Sequence, residues 1–250
     1  MRWLSFLMLL CTVATPTLAQ EGAKNQGNAI IFQISYAFQS PSLMLKNRYG
    51  DNNNVGIGTE FMLDKSNIIL GWQSGYLFGQ TVKTDVIAGL RTAEGLIIGN
   101  DRGIADIQLY QRGYYVGAMA GKLFPVSSKE PRSGWRITLG SGLLQHKIRI
   151  QDDPQRPVGA LSREYKKGYD RLSNGLAFHG FLGYQMLSND SRINFYLGLE
   201  ATYGHTKNRR ALNFDTGEQD TQTYRDMLLG IRAGWMLPFY VGAKSREIYY

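Results

Sequence analysis

The stretch Arg192–His205 reads Arg-Ile-Asn-Phe-Tyr-Leu-Gly-Leu-Glu-Ala-Thr-Tyr-Gly-His. Successive side chains of an extended chain point to opposite faces. Ile193, Phe195, Leu197, Leu199, Ala201 and Tyr203 therefore share one face, and Asn194, Tyr196, Gly198, Glu200, Thr202 and Gly204 share the other. That is the signature of a strand with one apolar and one polar side. The stretch is also long. A strand that crosses a membrane needs about 9–11 residues, whereas strands of water-soluble proteins average about 5–6. Glu200 falls mid-strand on the polar face, where hydrocarbon does not tolerate a carboxylate but a polar barrel lumen does.

The same alternation recurs along the chain. It predicts strands at Ala29–Gln39, Asn54–Leu63, Ile68–Gly79, Tyr114–Phe124, Trp135–Ile150, Gly175–Leu187 and Tyr224–Leu237. In Tyr114–Phe124 two faces compete: Tyr114, Val116 and Ala118 against Tyr115, Met119 and Leu123. The connections Ser40–Asn53, Gln80–Gly113, Gln151–Asn174 and Thr206–Thr223 are long. Asp64–Asn67, Pro125–Gly134 and Ser188–Ser191 are shorter turns rich in residues that favour reversal. Gln80–Gly113 is long enough to predict a folded element of its own.

Alternation does not say which face points outward. A soluble exported lipocalin-like carrier keeps its apolar face inside; a membrane barrel reverses this. Four features favour the reversed case. Long and short connections alternate, which places both termini at the short-turn, periplasmic side. Aromatic residues collect at strand ends. Phe61, Phe124, Trp135, Tyr184, Phe195 and Trp235 lie toward the short turns, and Phe38, Phe78, Tyr114, Phe178, Tyr203 and Tyr224 toward the long loops, as two interfacial girdles would. The polar face holds mainly Gly, Ser, Thr, Asn and Gln, with few of the Lys and Glu that a solvated face carries. The chain also begins like an exported protein. Arg2, the apolar run Trp3–Val13 and the small-residue site Thr17-Leu18-Ala19 predict a signal peptide over residues 1–19, cleaved near Ala19, ahead of one domain at 20–250.

Cys11 is the only cysteine and leaves with that segment, so the mature chain has no disulfide or thiol chemistry. The formal net charge of +8 suits attraction to anionic lipid head groups, and export argues against nucleic acid. The fold class that follows is all-β: an antiparallel up-and-down transmembrane β-barrel of about eight strands. With its signal segment, amphipathic strands and terminal aromatic Tyr250, the chain resembles the small outer-membrane barrels of the OmpA/OmpX and PorT-like kind. The resemblance is architectural and implies an integral outer-membrane protein.

Four charges fall on the inward faces: Glu60, Arg136, Glu200 and Arg232. Their mixed signs predict a paired lumen network with a structural role, because an unpaired buried charge is costly. Some small barrels modify lipid A, which directs attention to His146, His179, His205 and Ser141. Nothing in the sequence places Ser141 beside a histidine, and its face is shared with Trp135 and Leu139, so no catalytic residue is assigned. Gly117–Lys122 lacks the spacing of a phosphate loop, and Gly56-Ile-Gly58 is no dinucleotide fingerprint. Asp152-Asp153 is a solvated loop pair, and no spacing suits a metal; no cofactor is expected. Arg156, Arg163, Lys166, Lys167 and Arg171 in one loop, and Lys207, Arg209 and Arg210 in the next, are candidate contacts to lipopolysaccharide phosphates. Tyr165 and Tyr169 add surface for an envelope protein partner. The functional expectation is a non-enzymatic scaffold or accessory barrel that binds through its long loops, with a lipid A hydrolase or acyltransferase as the competing class.

Overall fold

The computed structural model describes residues 27–187 and 194–241. The signal segment, the Ser188–Ser191 turn, the opening residues Arg192 and Ile193, and the terminal Tyr250 lie outside them. Eight long antiparallel strands close into a ring. They are β1 (Asn28–Leu43), β2 (Asn52–Met62), β3 (Ile68–Gly79), β6 (Gln108–Ser127), β7 (Glu130–Gln151), β8 (Ser173–Leu187), β9 (Asn194–Asn208) and β10 (Thr223–Val241). Two further strands, β4 (Ile97–Ile98) and β5 (Ile104–Ala105), form a small hairpin inside the connection from β3 to β6. Every barrel strand pairs with its sequence neighbour in the ring, and β1 pairs with β10 to close it. The ring thus has no free edge, which is what lets a sheet sit in hydrocarbon without unpaired backbone groups.

The apolar faces point outward. Phe195, Leu197 and Leu199 are 40%, 51% and 61% exposed, whereas Glu200 is 4% exposed. Ile34, Ile57, Leu139, Leu182 and Ile231 stand exposed around the same wall. This is the inverse of the lipocalin arrangement. The wall has no charged residue across its middle, so water would meet a continuous apolar band far larger than soluble monomers expose. The competing faces of β6 resolve the same way: Tyr114, Val116 and Phe124 are outward, and Tyr115, Met119 and Leu123 are buried in the bore.

Several strands run further than alternation predicts. β1 continues through Pro41, β6 through Pro125 and β10 through Pro238. Each proline lies past the last pair to one neighbour. β1 and β2 part at Gln39–Asn52, β3 and β6 at Ile68–Lys122, and β9 and β10 at Trp235–Phe195. A missing N–H costs nothing on a side with no partner. The β6–β7 turn is correspondingly tight, with a register shift between Pro125 and Ser127.

The bore is not lined by glycine, hydroxyls and ions alone. Two apolar layers close it. At the short-turn end Ala29, Ile31, Met62, Ile69, Leu123, Phe181, Leu187, Tyr196 and Met236 pack together. At the loop end Leu77, Tyr115, Leu144, Ile148 and Leu228 from the strands meet Leu45, Tyr49, Val86, Ile87, Ile97 and Leu161 from the loops. The connection at residues 80–107 therefore folds over the mouth. Burying these side chains provides the driving force, roughly 1.5–3 kcal/mol for each large apolar residue. Alternation hid both plugs, because an inward Leu or Tyr reads like an outward one.

Candidate functional site

Between the two plugs lies a polar layer. The Arg232 Nη1 donates to Ser35 Oγ at 2.7 Å, and its Nε donates to Glu200. Gln39 Nε2 donates to the other Glu200 oxygen at 2.7 Å. His179 Nδ1 lies 3.0 Å from Thr202 Oγ1, and its Nε2 lies 3.9 Å from Glu200. Closer to the short turns, Arg136 bonds Glu60 across the bore, and its Nη1 donates to Gln185 Oε1 at 3.1 Å. The Arg136 guanidinium also sits 5.0 Å from the centre of the Tyr196 ring. Glu60, Arg136, Glu200 and Arg232 are all buried. The structure thus joins them as two opposite-sign pairs; Ser35, Gln39 and Gln185 give Arg232, Glu200 and Arg136 one further partner each, while Glu60 Oε2 and Arg136 Nε have no hydrogen-bond partner among the described residues. The internal cavity here, lined by Gln39, Gln73, Tyr115, His179, Thr202 and Arg232, measures about 10 Å³. That is room for about one water molecule.

Nearer the mouth, His146 Nε2 lies 2.9 Å from Asp226 Oδ2, which also accepts from Thr206 Oγ1 at 2.5 Å. The Tyr49 ring stands edge-on to His146 at 5.6 Å and covers it. Burial pushes the Tyr49 phenol upward, against the pull of the neighbouring Arg48 guanidinium. A histidine held by a carboxylate is half of an acid–base constellation. Here it is 1% exposed and sealed beneath the loop plug, and the adjacent hydroxyl already donates to the same carboxylate. Ser141 and His205 point out of the barrel, away from it. The three histidines and Ser141 do not converge. Among the described residues no group of His, Cys, Asp or Glu has the geometry to hold a metal ion, and no helix is long and apolar enough to cross a membrane.

The loops form a folded cap. Asp170 receives Arg210 through two hydrogen bonds of 2.8 and 2.5 Å, which raise the Arg210 guanidinium above its ordinary value. Arg171 pairs with Asp215, Lys166 with Asp152, and Arg156 with Asp101 at 3.6 Å. Arg209 donates to Asn174 at 2.5 Å. Most of the basic loop residues read as phosphate contacts are thus held by the cap's own side chains. Arg163, Lys167 and Lys207 are exposed and make no ion pair among the described residues. Tyr224 does not join the outer aromatic girdle. Its ring lies under the Arg48 guanidinium at 3.8 Å, and its hydroxyl donates to Asp220 at 2.6 Å. The signal that would have placed it is parity, since Tyr224 shares its face with Asp226 and Leu228.

A closed ring of eight antiparallel strands, apolar without and filled within, defines the class: a transmembrane β-barrel of the small outer-membrane type. Solved structures with a similar outline bear this shape, at low identity. The attachment invasion locus protein Ail of Yersinia pestis, in complex with the heparin analogue sucrose octasulfate, aligns with 85% of this chain and 100% of its own at 11% identity and a TM-score of 0.36. The outer membrane protein OprG of Pseudomonas aeruginosa aligns with 86% of this chain and 97% of its own at 13% identity and a TM-score of 0.37. The N-terminal β-barrel domain of OprF from the same organism aligns with 84% and 98%, at 13% identity and a TM-score of 0.36. No protein-family model matches the chain, and no curated protein matches it in sequence.

Proposed function

We propose that this protein is an integral outer-membrane barrel with its termini in the periplasm. It acts without catalysis, as a scaffold that presents a folded loop cap to an envelope partner. The observation that carries this reading is the loop-end plug. Leu45, Tyr49, Val86, Ile87, Ile97 and Leu161 come from three different loops and are buried against the barrel's own interior. Loops anchored this way present one fixed surface, and a preformed surface binds without the entropic cost of ordering. The surface carries exposed aromatic groups of the kind that dominate protein interfaces. Tyr165 is 57% and Phe214 41% exposed, and their rings lie 6.1 Å apart.

The test is replacement of residues 80–107 by a short turn in the full chain. The variant should still enter the membrane fraction and keep the heat-modifiable gel mobility of a folded barrel. It should lose co-purification of partner proteins captured by the unaltered chain. Unchanged capture overturns the role of the cap. A mature chain that purifies without detergent overturns the membrane assignment itself.

A further inference from the structure

On the barrel strands, every charged side chain presented to the outside is basic. Counting the outward parity of each strand gives Arg112 and Lys122 on β6, Lys147 and Arg149 on β7, Lys207 on β9 and Arg225 on β10. Of the strand carboxylates, Glu60, Glu200 and Asp226 point inward and are buried, and Glu130, at the short-turn start of β7, has inward parity and is half-buried. Five of the six cations sit at the loop-side rim, just beyond the apolar band that ends with Tyr114, Leu143, Tyr203 and Met227.

Their arrangement is costly in isolation. Arg112 and Lys147 are direct cross-strand partners, and like charges placed opposite one another destabilise a sheet. Arg149 follows on the same face, opposite Tyr110. Beyond β8, Arg225 on β10 is opposite His205 on β9, with Lys207 one step further along that face. β8 separates the two groups and contributes Asn174 at this level, paired with Gln145 and Lys207. Lys147, Arg149, Lys207 and Arg225 make no side-chain ion pair or hydrogen bond among the described residues. The nearby loop carboxylates Asp152, Asp170 and Asp215 are already bound to Lys166, Arg210 and Arg171. The protein thus places uncompensated positive charge where a bilayer keeps its head groups.

We infer that these two clusters, Arg112–Lys147–Arg149 and Lys207–Arg225, bind the phosphate groups of anionic lipids in the leaflet on the loop side. A phosphate offers several acceptor oxygens to two or three cations at once, through charge-assisted bonds, and removes the Arg112–Lys147 repulsion. Each basic residue beside a membrane surface adds to such attraction. This rests on the membrane reading above and adds the lipid chemistry and the residues.

The test uses the full chain in detergent, immobilised, with purified lipopolysaccharide as the probe. Intact lipopolysaccharide should bind, and the same material stripped of phosphate should bind at least roughly tenfold more weakly. The variant Lys147→Gln/Arg149→Gln/Lys207→Gln/Arg225→Gln should show the same loss while keeping heat-modifiable mobility and its requirement for detergent. Those two readouts report the barrel separately, so failure of the membrane reading and failure of the phosphate sites are distinguishable. Equal binding of dephosphorylated material, or unchanged binding by the folded variant, overturns the proposal. Full displacement by millimolar inorganic phosphate overturns the lipid as the source. A variant that no longer folds is replaced by the two double variants, one per cluster, each expected to lose part of the binding; full binding by both overturns it.

Discussion

Arg136 and Glu60 bond to one another across the bore, from strands β7 and β2 that are not neighbours in the ring. Both are buried, so neither charge has water to fall back on. Removing one partner leaves the other uncompensated, which typically costs about 3–5 kcal/mol, whereas an apolar pair of similar volume is often neutral or better. Arg136→Met alone and Glu60→Leu alone should each lower the urea midpoint of the barrel in vesicles. The double variant should recover most of the loss. Additive losses in the double variant would mean that the two charges act independently.

The two apolar layers predict that the barrel does not conduct. An eight-stranded barrel is just wide enough for side chains to fill, and here Leu123, Phe181 and Tyr196 close one end while Leu77, Tyr115 and Leu144 close the other. Planar-bilayer recordings of the purified chain should show no discrete current steps. The variant lacking residues 80–107 should be equally silent, because the short-turn plug does not involve the loops. Steps in that variant alone would place the barrier wholly in the cap.

Strand β9 shows how much was legible. Leu197 and Glu200 sit three residues apart, so parity alone sends them to opposite faces, and that parity defines the barrel. β6 shows the limit. Tyr115, Met119 and Leu123 are as apolar as Tyr114, Val116 and Ala118, because a plugged bore needs apolar residues too. Pro238 read as a strand end, since its harmlessness depends on where β9 stops pairing. The four lumen charges could be gathered on one face from the sequence, but not sorted into Glu60–Arg136 and Glu200–Arg232. That choice follows from the stagger of strands around the ring. The outward rim cations Arg112, Lys147, Arg149 and Arg225 were missed for a related reason. Arg112 lies in a stretch read as a loop, and only the extended pairing of β6 with β7 gives it an outward face; Lys147, Arg149 and Arg225 fall within the predicted strands at outward parity, but their placement opposite Arg112, Tyr110 and His205 follows only from the register.

Asp153 gives the loop cap a pH dependence. The Gln155 backbone N–H donates to its Oδ1 at 2.9 Å and holds the carboxyl below its ordinary value; the Asp106 N–H reaches Oδ2 at 3.4 Å. A depressed carboxylate contributes its stabilisation above the unfolded-state pKa, near about 4, and loses it as pH falls through the lower folded value. Exchange protection of the Gln155 amide should therefore be level from neutral pH down to about 4 and fall below that. Asp153→Asn, which keeps an acceptor oxygen but cannot titrate, should flatten the fall. Loss of protection already between neutrality and the carboxylate range would assign the dependence to another group.

The short-turn plug depends on where the barrel omits side chains. Gly183 and Gly198 are cross-strand partners, and a methyl group on Gly198 would meet Gly183 Cα and the Leu182 carbonyl oxygen first, and stand 2.8 Å from the Phe181 ring. Phe181 in turn meets Tyr196 edge-on, with centroids 5.3 Å apart, and the Tyr196 ring lies over Gly234. The two rings are thus seated in a floor that only hydrogen atoms leave open. Gly198→Ala and Gly234→Ala should each destabilise the barrel by about 1–3 kcal/mol through overpacking, seen as a lower melting temperature in gel mobility. Gly89→Ala, in a loop position where a methyl group meets nothing within 4 Å, should stay within about 0.5 kcal/mol of the unaltered chain. Equal stability of all three variants would mean that the β8 backbone beside Gly198 and the Tyr196 ring over Gly234 both give way freely, and that the plug is looser than its packing indicates.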